Sequence, residues 1–313
     1  MDAGVRRGPP GRPRLALDVL VVNAGSTSLK LSLVGADGVA SPVEDFVPAD
    51  AVGHRIVHLG DLAAGAVVVD DSVVGRIEAG AEVAPLHNRP ALDALRRAQA
   101  ALPDLPHVAV SDSAFHRTMP EEARRYAVPN EWRAIVRHGF HGLAVESVAE
   151  RVPVPRLVVC HLGGGCSVTA VRHGRSVDTS MGFTPLEGPP MGTRSGSLDP
   201  GALLYLVRHG HTPDELDRVL NEESGLRALG GLDDPFAFSH FTYHLAKTVA
   251  AMAAVLGGLD ALAFSGGIGE NRADVRDAVA ERLAFLGPFD VEVVPAREDL
   301  VIARAVRRLL GAP

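Results

Sequence analysis

Three polar side chains stand in settings that are typical of functional rather than structural residues. Asp112 follows the apolar run VAVS, so its carboxylate is expected at the end of a strand, and the nearby His116 and Arg117 favour catalysis over the capping of a turn. His141 lies between glycines in RHGFHGL, a costly place for a core histidine and a suitable one for a functional imidazole. Arg194 lies in the run MGTRSGSLDP, where its planar guanidinium could hold an anion with two hydrogen bonds.

Two further segments point to anions but leave an alternative open. Residues 265–271, SGGIGEN, are predicted to be a strand end, a glycine turn and the start of a helix. This arrangement suits a nucleotide phosphate, and it also occurs in plain strand-to-helix loops. Arg55, in GHRIVHLG, could bind an anion or form a surface ion pair.

These side chains need a scaffold, and the chain contains the same small unit twice. A buried strand, a Gly/Ser-rich turn and a second strand occur as DVLVVNAGSTSLKLSLV at residues 18–34 and as RLVVCHLGGGCSVTAV at residues 156–171. Gly25 and the glycines at 163–165 let the backbone approach a phosphate closely. One such hairpin is weak evidence, whereas two copies predict a duplicated fold with a phosphate site between its halves.

The remaining pattern is α/β throughout. Predicted helices span residues 90–102, 130–137, 143–151, 200–208, 212–222, 235–256, 272–286 and 298–310, and predicted strands span residues 107–111, 261–265 and 291–294. A capping box of Thr212 and Glu215 begins one of these helices. We expect a disordered extension over residues 1–16, an N-terminal lobe over 17–154 and a C-terminal nucleotide-binding lobe over 155–313, packed closely around a cleft.

Composition excludes several classes of protein. The 313 residues, 46% of them hydrophobic, are enough for two lobes. A formal net charge of −7, with no Lys/Arg block beyond the N-terminal residues, argues against a nucleic-acid partner. No segment is typical of a membrane span, and Gly-Pro-Pro follows Arg6-Arg7 where a signal would be apolar, so a cytoplasmic protein is predicted. Cys160 and Cys166 are predicted to be buried thiols rather than a disulfide.

Ordered motifs carry a resemblance to a known family. From residue 19 to residue 304, VVNAGSTSLK, GHRIVH, APLHN, SDSAFHRTMP, HGFHG, CHLGGGCSV, SVDTSMGFTPLEG, MGTRSG, SGGIGEN and VPAREDLVIAR resemble the acetate kinase (acetate and propionate kinase) family. The resemblance implies the duplicated two-lobe fold of actin, Hsp70 and sugar kinases (ribonuclease H-like), with a central nucleotide cleft. It also implies a homodimer that uses ATP and Mg²⁺, with Mn²⁺ as the alternative metal. The interval between Asn23 and Arg55 is short for the family, which predicts a shortened member with a trimmed N-terminal lobe.

The same resemblance implies roles for particular residues. Asn23 and Glu298 match the magnesium positions of the family, and Asp112 matches its catalytic aspartate. His141 and Arg194 resemble the pair that stabilises the transferred phosphoryl group.

The remaining matched positions concern the two substrates. Arg55 is similar to the arginine that holds the substrate carboxylate, beside an apolar acyl pocket formed by Val57, Leu86, Phe140 and Pro185. The nucleotide and its phosphates would be held by Ser26, Ser28, Lys30, His161, Leu162, Gly163, Gly164, Gly165, Gly266, Gly267, Ile268, Gly269 and Glu270.

The activity that the resemblance implies is reversible transfer of the γ-phosphoryl group of ATP to acetate, giving acetyl phosphate and ADP. A carboxylate with a pKa of about 4 to 5 is already ionised at neutral pH, so no general base is needed. Asp112 is therefore assigned to orienting the metal and a metal-bound water. Two alternatives stay open: a non-catalytic nucleotide- or acyl-phosphate-binding homologue, and a kinase for propionate or another short acid.

Overall fold

A computed structural model describes residues 17–25, 29–59, 65–82 and 85–312, with the side chains of these ranges apart from residues 82–87. The extension predicted for residues 1–16 lies outside the described residues. None of the helices in the described ranges is long and apolar enough to cross a membrane.

The first sheet has six strands in the order β3-β2-β1-β4-β6-β5. They are β1 (Val19–Ala24), β2 (Leu29–Val34), β3 (Ala40–Val43), β4 (Ala51–Ile56), β5 (Ala66–Val68) and β6 (His107–Ser111). The central strands β1, β4 and β6 run parallel, while β2, β3 and β5 pair antiparallel to their neighbours. Strands β4 and β6 are buried at every position and β1 at all but one, as expected for parallel strands covered on both faces.

The second sheet repeats this arrangement with five strands in the order β11-β10-β7-β8-β9. They are β7 (Arg156–Leu162), β8 (Cys166–Arg172), β9 (Arg175–Thr179), β10 (Ala261–Ser265) and β11 (Asp290–Val293). As in the first sheet, an antiparallel three-stranded unit begins with the hairpin, and a parallel strand lies on its other side. The duplicated fold predicted from the two hairpins is confirmed. Cys160 and Cys166 are buried and free, as predicted.

The described part of the chain also contains eleven α-helices. They are α1 (Asp71–Ala79), α2 (Pro85–Ala101), α3 (Glu121–Arg124), α4 (Gly142–Ala149), α5 (Pro200–Arg208), α6 (Pro213–Arg218), α7 (Gly225–Ala228), α8 (Pro235–Leu256), α9 (Gly266–Asn271), α10 (Ala273–Arg282) and α11 (Glu298–Leu310). Half of the capping box is present, since Thr212 Oγ1 accepts from the Glu215 backbone N–H at 3.2 Å. The Glu215 carboxylate lies 3.2 Å from His211 Nδ1.

The prediction of a helix over residues 130–137 is wrong. Only a 3₁₀ turn at Asn130–Trp132 forms, and Val136 then pairs with Arg125 in an isolated antiparallel bridge. The Arg137 backbone N–H donates to the Arg124 carbonyl at 2.7 Å, so pairing with a distant segment replaces the helical hydrogen bonds. The predicted helix over residues 272–286 ends earlier, at Arg282, and is followed by a short 3₁₀ turn.

The C-terminal helix α11 packs on the first sheet, although it follows the predicted lobe boundary in sequence. Its buried residues share a hydrophobic cluster with β1, β2 and β4. Gly53 on β4 allows this approach, because a Cβ there would lie 2.7 Å from Ile302 Cγ2 and 2.8 Å from Val306 Cγ2. The helix therefore returns the chain to the first sheet, with Glu298 as its first residue.

Two buried histidines, His54 on β4 and His107 on β6, form a hydrogen-bonded pair inside the first sheet. His107 Nε2 lies 3.0 Å from the Leu102 carbonyl, which only accepts, so His107 Nδ1 accepts from His54 Nε2–H at 2.9 Å. His54 Nδ1 then carries no proton and has no partner among the residues described. Burial, with a smaller effect of His107, lowers the pKa of His54 to about 3.

His116 is a third histidine that is buried in neutral form. Its Nε2–H donates to the Phe140 carbonyl at 2.9 Å, and its Nδ1 lies 3.0 Å from Ser176 Oγ. Burial lowers the pKa of His116 to about 4.

We expect these histidines to make folding stability fall as the pH drops from 7 to 5. Their folded pKa values lie below the unfolded value near 6.5, so the unfolded chain binds the extra protons. The stabilisation is complete above about pH 6.5 and is lost progressively below it, by about 2 kcal/mol at pH 5 for each of His54 and His116. Urea unfolding at a series of pH values measures this slope.

The variant His116→Gln should reduce that slope by up to about 1.4 kcal/mol per pH unit, because one proton fewer is taken up on unfolding. His173→Asn is the matched control, since His173 is exposed and its φ of 49° is one that asparagine tolerates. A slope in His116→Gln equal to that of the unaltered chain would contradict the prediction.

Candidate active site

A cleft of about 740 Å³ is lined by residues from both sheets. Its walls combine glycine backbone with charged and polar side chains, namely Asn23, Lys30, Ser32, Arg55, His141, His161, Arg194, Glu270, Arg297, Glu298 and Asp299. Positive and negative groups therefore face the same space.

Arg55 and Asp112 form a buried ion pair at the ends of adjacent strands. Because β4 and β6 are parallel and in register, Arg55 pairs with Val110 and the chain ends reach the same edge of the sheet. Arg55 Nη2 donates to Asp112 Oδ2 at 2.9 Å, with the Asp112 side chain fully buried. Burial alone would raise the pKa of Asp112, but the Arg55 charge and hydrogen bonds from Arg55 and His141 outweigh it and hold this pKa below its usual range.

Asn23 and Glu298 extend this ion pair into a chain of four contacting side chains. Arg55 Nη1 donates to Asn23 Oδ1 at 3.4 Å, and Asn23 Nδ2 donates to Glu298 Oε2 at 2.5 Å. The four residues come from the ends of β1, β4 and β6 and from the first turn of α11. Parallel strand ends and the returning C-terminal helix thus bring together positions far apart in sequence.

The oxygen atoms of this chain of contacts fit a divalent cation such as Mg²⁺. Asp112 Oδ1 is buried and accepts no hydrogen bond from the described part of the protein. Carboxylate and amide oxygens are the hard donors that this cation prefers. Within the described ranges no group of three His, Cys, Asp or Glu side chains is spaced to hold a metal by itself. The donor set therefore suits an ion that keeps several waters and shares its coordination with substrate phosphates.

His141 is held in an unusual backbone conformation at the start of α4. Its φ is 60°, in the left-handed region, and its backbone N–H donates to Asp112 Oδ2 at 2.9 Å. Its Nδ1 lies 3.0 Å from Ser167 Oγ on β8. Asp112 thus fixes both Arg55 and His141, so one carboxylate positions two candidate catalytic groups.

Arg194 reaches the cleft from a loop of the C-terminal half and is almost fully buried. Its Nη1 donates to the Pro185 carbonyl at 3.3 Å. Burial lowers the pKa of Arg194, yet a guanidinium stays charged in proteins. A Cβ placed on Gly165 would lie 3.0 Å from His141 Cε1 and 3.1 Å from Arg194 Nη1, so the glycine separates these two side chains.

The two glycine-rich segments predicted to bind the nucleotide line the cleft together. The lining includes His161, Gly163, Gly164, Gly165, Gly266, Gly267, Ile268 and Glu270, whereas Leu162 and Gly269 are buried behind it. Gly266 has a φ of +76°, and a Cβ there would meet the Leu162 carbonyl at 2.7 Å, so only glycine fits. The Glu270 carboxylate accepts from the Gly266 N–H at 2.9 Å and so occupies one of the N–H groups of this turn.

Three of the residues predicted for the acyl pocket are buried. Val57 and Phe140 are buried in one hydrophobic cluster, Pro185 is also buried, and the described lining of the cleft includes none of the three. Lys30 is exposed on β2 and lines the cleft. Ser26, Ser28 and the Leu86 side chain lie outside the described part of the structure.

Sequence reasoning missed the serines that orient the two cleft histidines. Ser167 contacts His141 as described above, and Ser265 Oγ lies 2.9 Å from His161 Nδ1. The two rings lie 4.7 Å apart, with the planes at 63°. The register of the second sheet places Ser265 on β10 and Ser167 on β8 on either side of His161. The hairpin pattern could have indicated only the position of Ser167, since β10 and His141 lie outside the hairpin.

The variant Gly165→Ala is expected to lower turnover by about 10- to 100-fold, because its methyl group enters the space between His141 and Arg194 and shifts one of them. Gly165 does not have a positive φ, so the fold should tolerate alanine. Steady-state rates and a urea unfolding curve measure the two effects.

Gly164→Ala is the matched control, since the added Cβ meets no described atom within 4 Å. We expect it to lose less turnover than Gly165→Ala. Equal rates for the two variants would show that the space between His141 and Arg194 is not used.

Comparisons with known proteins point to one family. Residues 40–301 match the sequence model of the acetokinase family. The chain is 46% identical over 311 residues to the acetate kinase of Pseudarthrobacter chlorophenolicus, with 84% of this chain and 81% of that protein covered. It is 38% identical over 319 residues to the acetate kinase of Natranaerobius thermophilus, with 86% and 80% covered.

Solved structures show the same fold. A propionate kinase from Francisella tularensis superposes with a TM-score of 0.83 at 30% identity, covering 92% of this chain and 98% of that one. An acetate kinase from Porphyromonas gingivalis superposes with a TM-score of 0.78 at 28% identity, covering 94% and 99%.

Proposed function

The chain belongs to the acetokinase family, and on this premise we propose that it transfers the γ-phosphoryl group of ATP to acetate or a similar short carboxylate. One observation carries the proposal: Asp112, Arg55, Asn23 and Glu298 form a continuous chain of contacts at the cleft, near the pair His141 and Arg194. This set combines cations for two anionic substrates with oxygen donors for a cation.

The proposed reaction is a direct displacement at phosphorus. A carboxylate oxygen forms the new bond to the γ-phosphorus, the bond from this phosphorus to the β–γ bridging oxygen breaks, and ADP leaves with the electron pair. The carboxylate is ionised at neutral pH, so no residue has to remove a proton. The main task of the site is to bring two anions together in line and away from water.

Positive charge in the cleft performs this task. Arg55 would hold the substrate carboxylate at the strand edge. Burial lowers the pKa of the Arg55 guanidinium, but the charges of Asp112 and Glu298 outweigh burial and raise this pKa, so Arg55 stays charged. Arg194 and the His141 imidazole would contact the oxygens of the transferred group, and the glycine backbone at 163–165 and 266–267 would lie against the nucleotide phosphates.

We propose Mg²⁺ as the metal, held by Asn23, Glu298 and, directly or through water, the orphaned Oδ1 of Asp112. Bound there with ATP, it would neutralise charge on the β- and γ-phosphates. The Asp112 carboxylate is ionised at neutral pH, since Arg55 holds its pKa low.

Purified protein incubated with ATP, Mg²⁺ and hydroxylamine should form acyl hydroxamate from acetate. Propionate and butyrate belong in the same experiment, because a similar solved structure is a propionate kinase and one methylene changes binding by only about 1 to 3 kcal/mol. A folded sample that forms no hydroxamate from any of the three acids would reject the enzyme and favour a binding protein.

We further propose a cytoplasmic homodimer. Helix α5 exposes the large side chains of Leu204, Tyr205 and Val207, which supports a contact with a second chain. Light scattering at micromolar concentration should give twice the chain mass, and the monomer mass would contradict this.

A further inference from the structure

The loop of residues 182–187 is closed on itself by the side chains of Tyr126, Arg137 and Glu187. The Tyr126 hydroxyl donates to Glu187 Oε2 at 2.5 Å and accepts from the Phe183 backbone N–H at 3.1 Å. One phenol thus joins the beginning and the end of the loop, from a position 61 residues away from Glu187. Burial, and then the hydrogen bond to Glu187, raise the pKa of Tyr126 to about 12, so the hydroxyl stays protonated and can donate.

Arg137 also binds the Glu187 carboxylate. Its Nη2 donates to Glu187 Oε1 at 2.9 Å, while its Nη1 donates to the carbonyls of Thr179 and Ser180 at 3.0 and 3.1 Å. Its guanidinium also lies 5.6 Å from the Tyr126 ring. Both carboxylate oxygens of Glu187 are therefore bound by residues that precede the second sheet in sequence.

Gly182 leaves the room that this arrangement needs. A Cβ on Gly182 would overlap both the Glu187 carboxylate and the Tyr126 hydroxyl. The Gly182 carbonyl accepts from the backbone N–H of His138 at 3.0 Å, which connects the loop to the segment that leads into His141. The start of the loop is therefore fixed on two sides.

Pro185 connects the loop to the cleft. It lies two residues before Glu187, and its carbonyl accepts from Arg194 Nη1 at 3.3 Å. A shift of the loop would move this acceptor and, with it, the guanidinium that faces the cleft.

We propose that Tyr126, Arg137 and Glu187, here called the clasp, close the loop of residues 182–187 and position Arg194 through the Pro185 carbonyl. The three are positioning residues, since the described lining of the cleft includes none of them. The kinetic part of this inference rests on the proposed function, whereas the closure of the loop does not.

The clasp should affect the loop more than the overall fold. The Glu187 side chain is 36% exposed, and Arg137 keeps its bonds to the carbonyls of Thr179 and Ser180 when Glu187 is changed, so no fully buried charge is left without a partner. Removing one clasp contact should therefore free the loop without unfolding the protein.

Tyr126→Phe and Glu187→Gln in the full chain test the proposal. Hydrogen exchange followed by mass spectrometry should show at least about tenfold faster exchange at the Phe183 amide, and kcat with acetate should fall by about tenfold, because a small displacement of a catalytic group is costly. The KM for ATP should change less than twofold. Gly182→Ala, which displaces the Glu187 carboxylate, should reproduce both effects.

Glu78→Gln is the matched control, since Glu78 pairs with Arg96 at 2.6 Å on the surface of the first half. It should leave hydrogen exchange in the loop of residues 182–187, and kcat with acetate, unchanged. Unchanged exchange in the clasp variants, or unchanged kcat beside an active unaltered enzyme, would overturn the clasp. An unaltered protein without activity would instead overturn the proposed function, and the exchange result would still decide whether the clasp closes the loop.

Discussion

Replacing Arg194 with alanine is expected to lower kcat by about 100- to 1,000-fold, equivalent to about 3 to 4 kcal/mol in the activation barrier. Arg194 brings a buried positive charge to the same side of the cleft as His141, with Gly165 between them. Charge that is held in place and shielded from water stabilises a transferring phosphoryl group more than a solvated charge does. Nucleotide affinity should change little, because the glycine segments at 163–165 and 266–267 remain.

Steady-state kinetics with ATP and acetate, together with ADP binding by calorimetry, separate these two effects. Arg194→Lys keeps a positive charge without the planar fork, so it should recover only part of the lost rate. Circular dichroism checks that both variants are folded. A folded Arg194→Ala protein with near-normal kcat would remove Arg194 from the proposed mechanism.

Breaking the ion pair of Arg55 and Asp112 is expected to affect stability as well as catalysis. Arg55→Ala leaves the fully buried Asp112 carboxylate without its cation, which should cost about 3 to 5 kcal/mol of the free energy of unfolding. The carboxylate would also lose the partner that holds its pKa low. Turnover should disappear, since the substrate carboxylate loses its proposed contact.

A double-variant cycle separates the two consequences. Arg55→Met with Asp112→Leu replaces both charges by apolar side chains, and it should be more stable than the sum of the single changes predicts. Urea unfolding measures the coupling, and the hydroxamate assay should stay negative for all three proteins. Additive single effects would show that the pair is not coupled, and turnover in the double variant would show that neither charge is needed.

Regular patterns in the sequence were enough to predict most of the scaffold. The helix Glu298–Leu310 was predicted with both ends, because its apolar residues recur at helical spacing and a glycine follows it. Strands β6 and β10 were predicted for a similar reason, as short apolar runs between turn residues. The helix predicted over residues 130–137 does not form, because Arg137 bonds to Arg124 and to the backbone of residues 179–180. No local sequence pattern reveals these contacts.

The candidate site shows the same division between local and distant information. Motifs predicted Asn23, Arg55, Asp112, His141, Arg194 and Glu298, and the structure brings them to one cleft or its wall. Arg55 is buried against Asp112 rather than exposed at the surface because β4 pairs with β6, which the sequence alone does not reveal. Tyr126 and Glu187 could not be connected from sequence, since they lie 61 residues apart in loops and no local pattern indicates their contact.

The central claim is that a carboxylate oxygen attacks the γ-phosphorus of ATP, and an isotope measurement tests it most directly. With acetate labelled by ¹⁸O in both carboxylate oxygens, ³¹P NMR should detect acetyl phosphate whose phosphorus carries one ¹⁸O neighbour. Arg194→Ala should form this product far more slowly. Release of unlabelled inorganic phosphate without labelled acetyl phosphate would contradict the account.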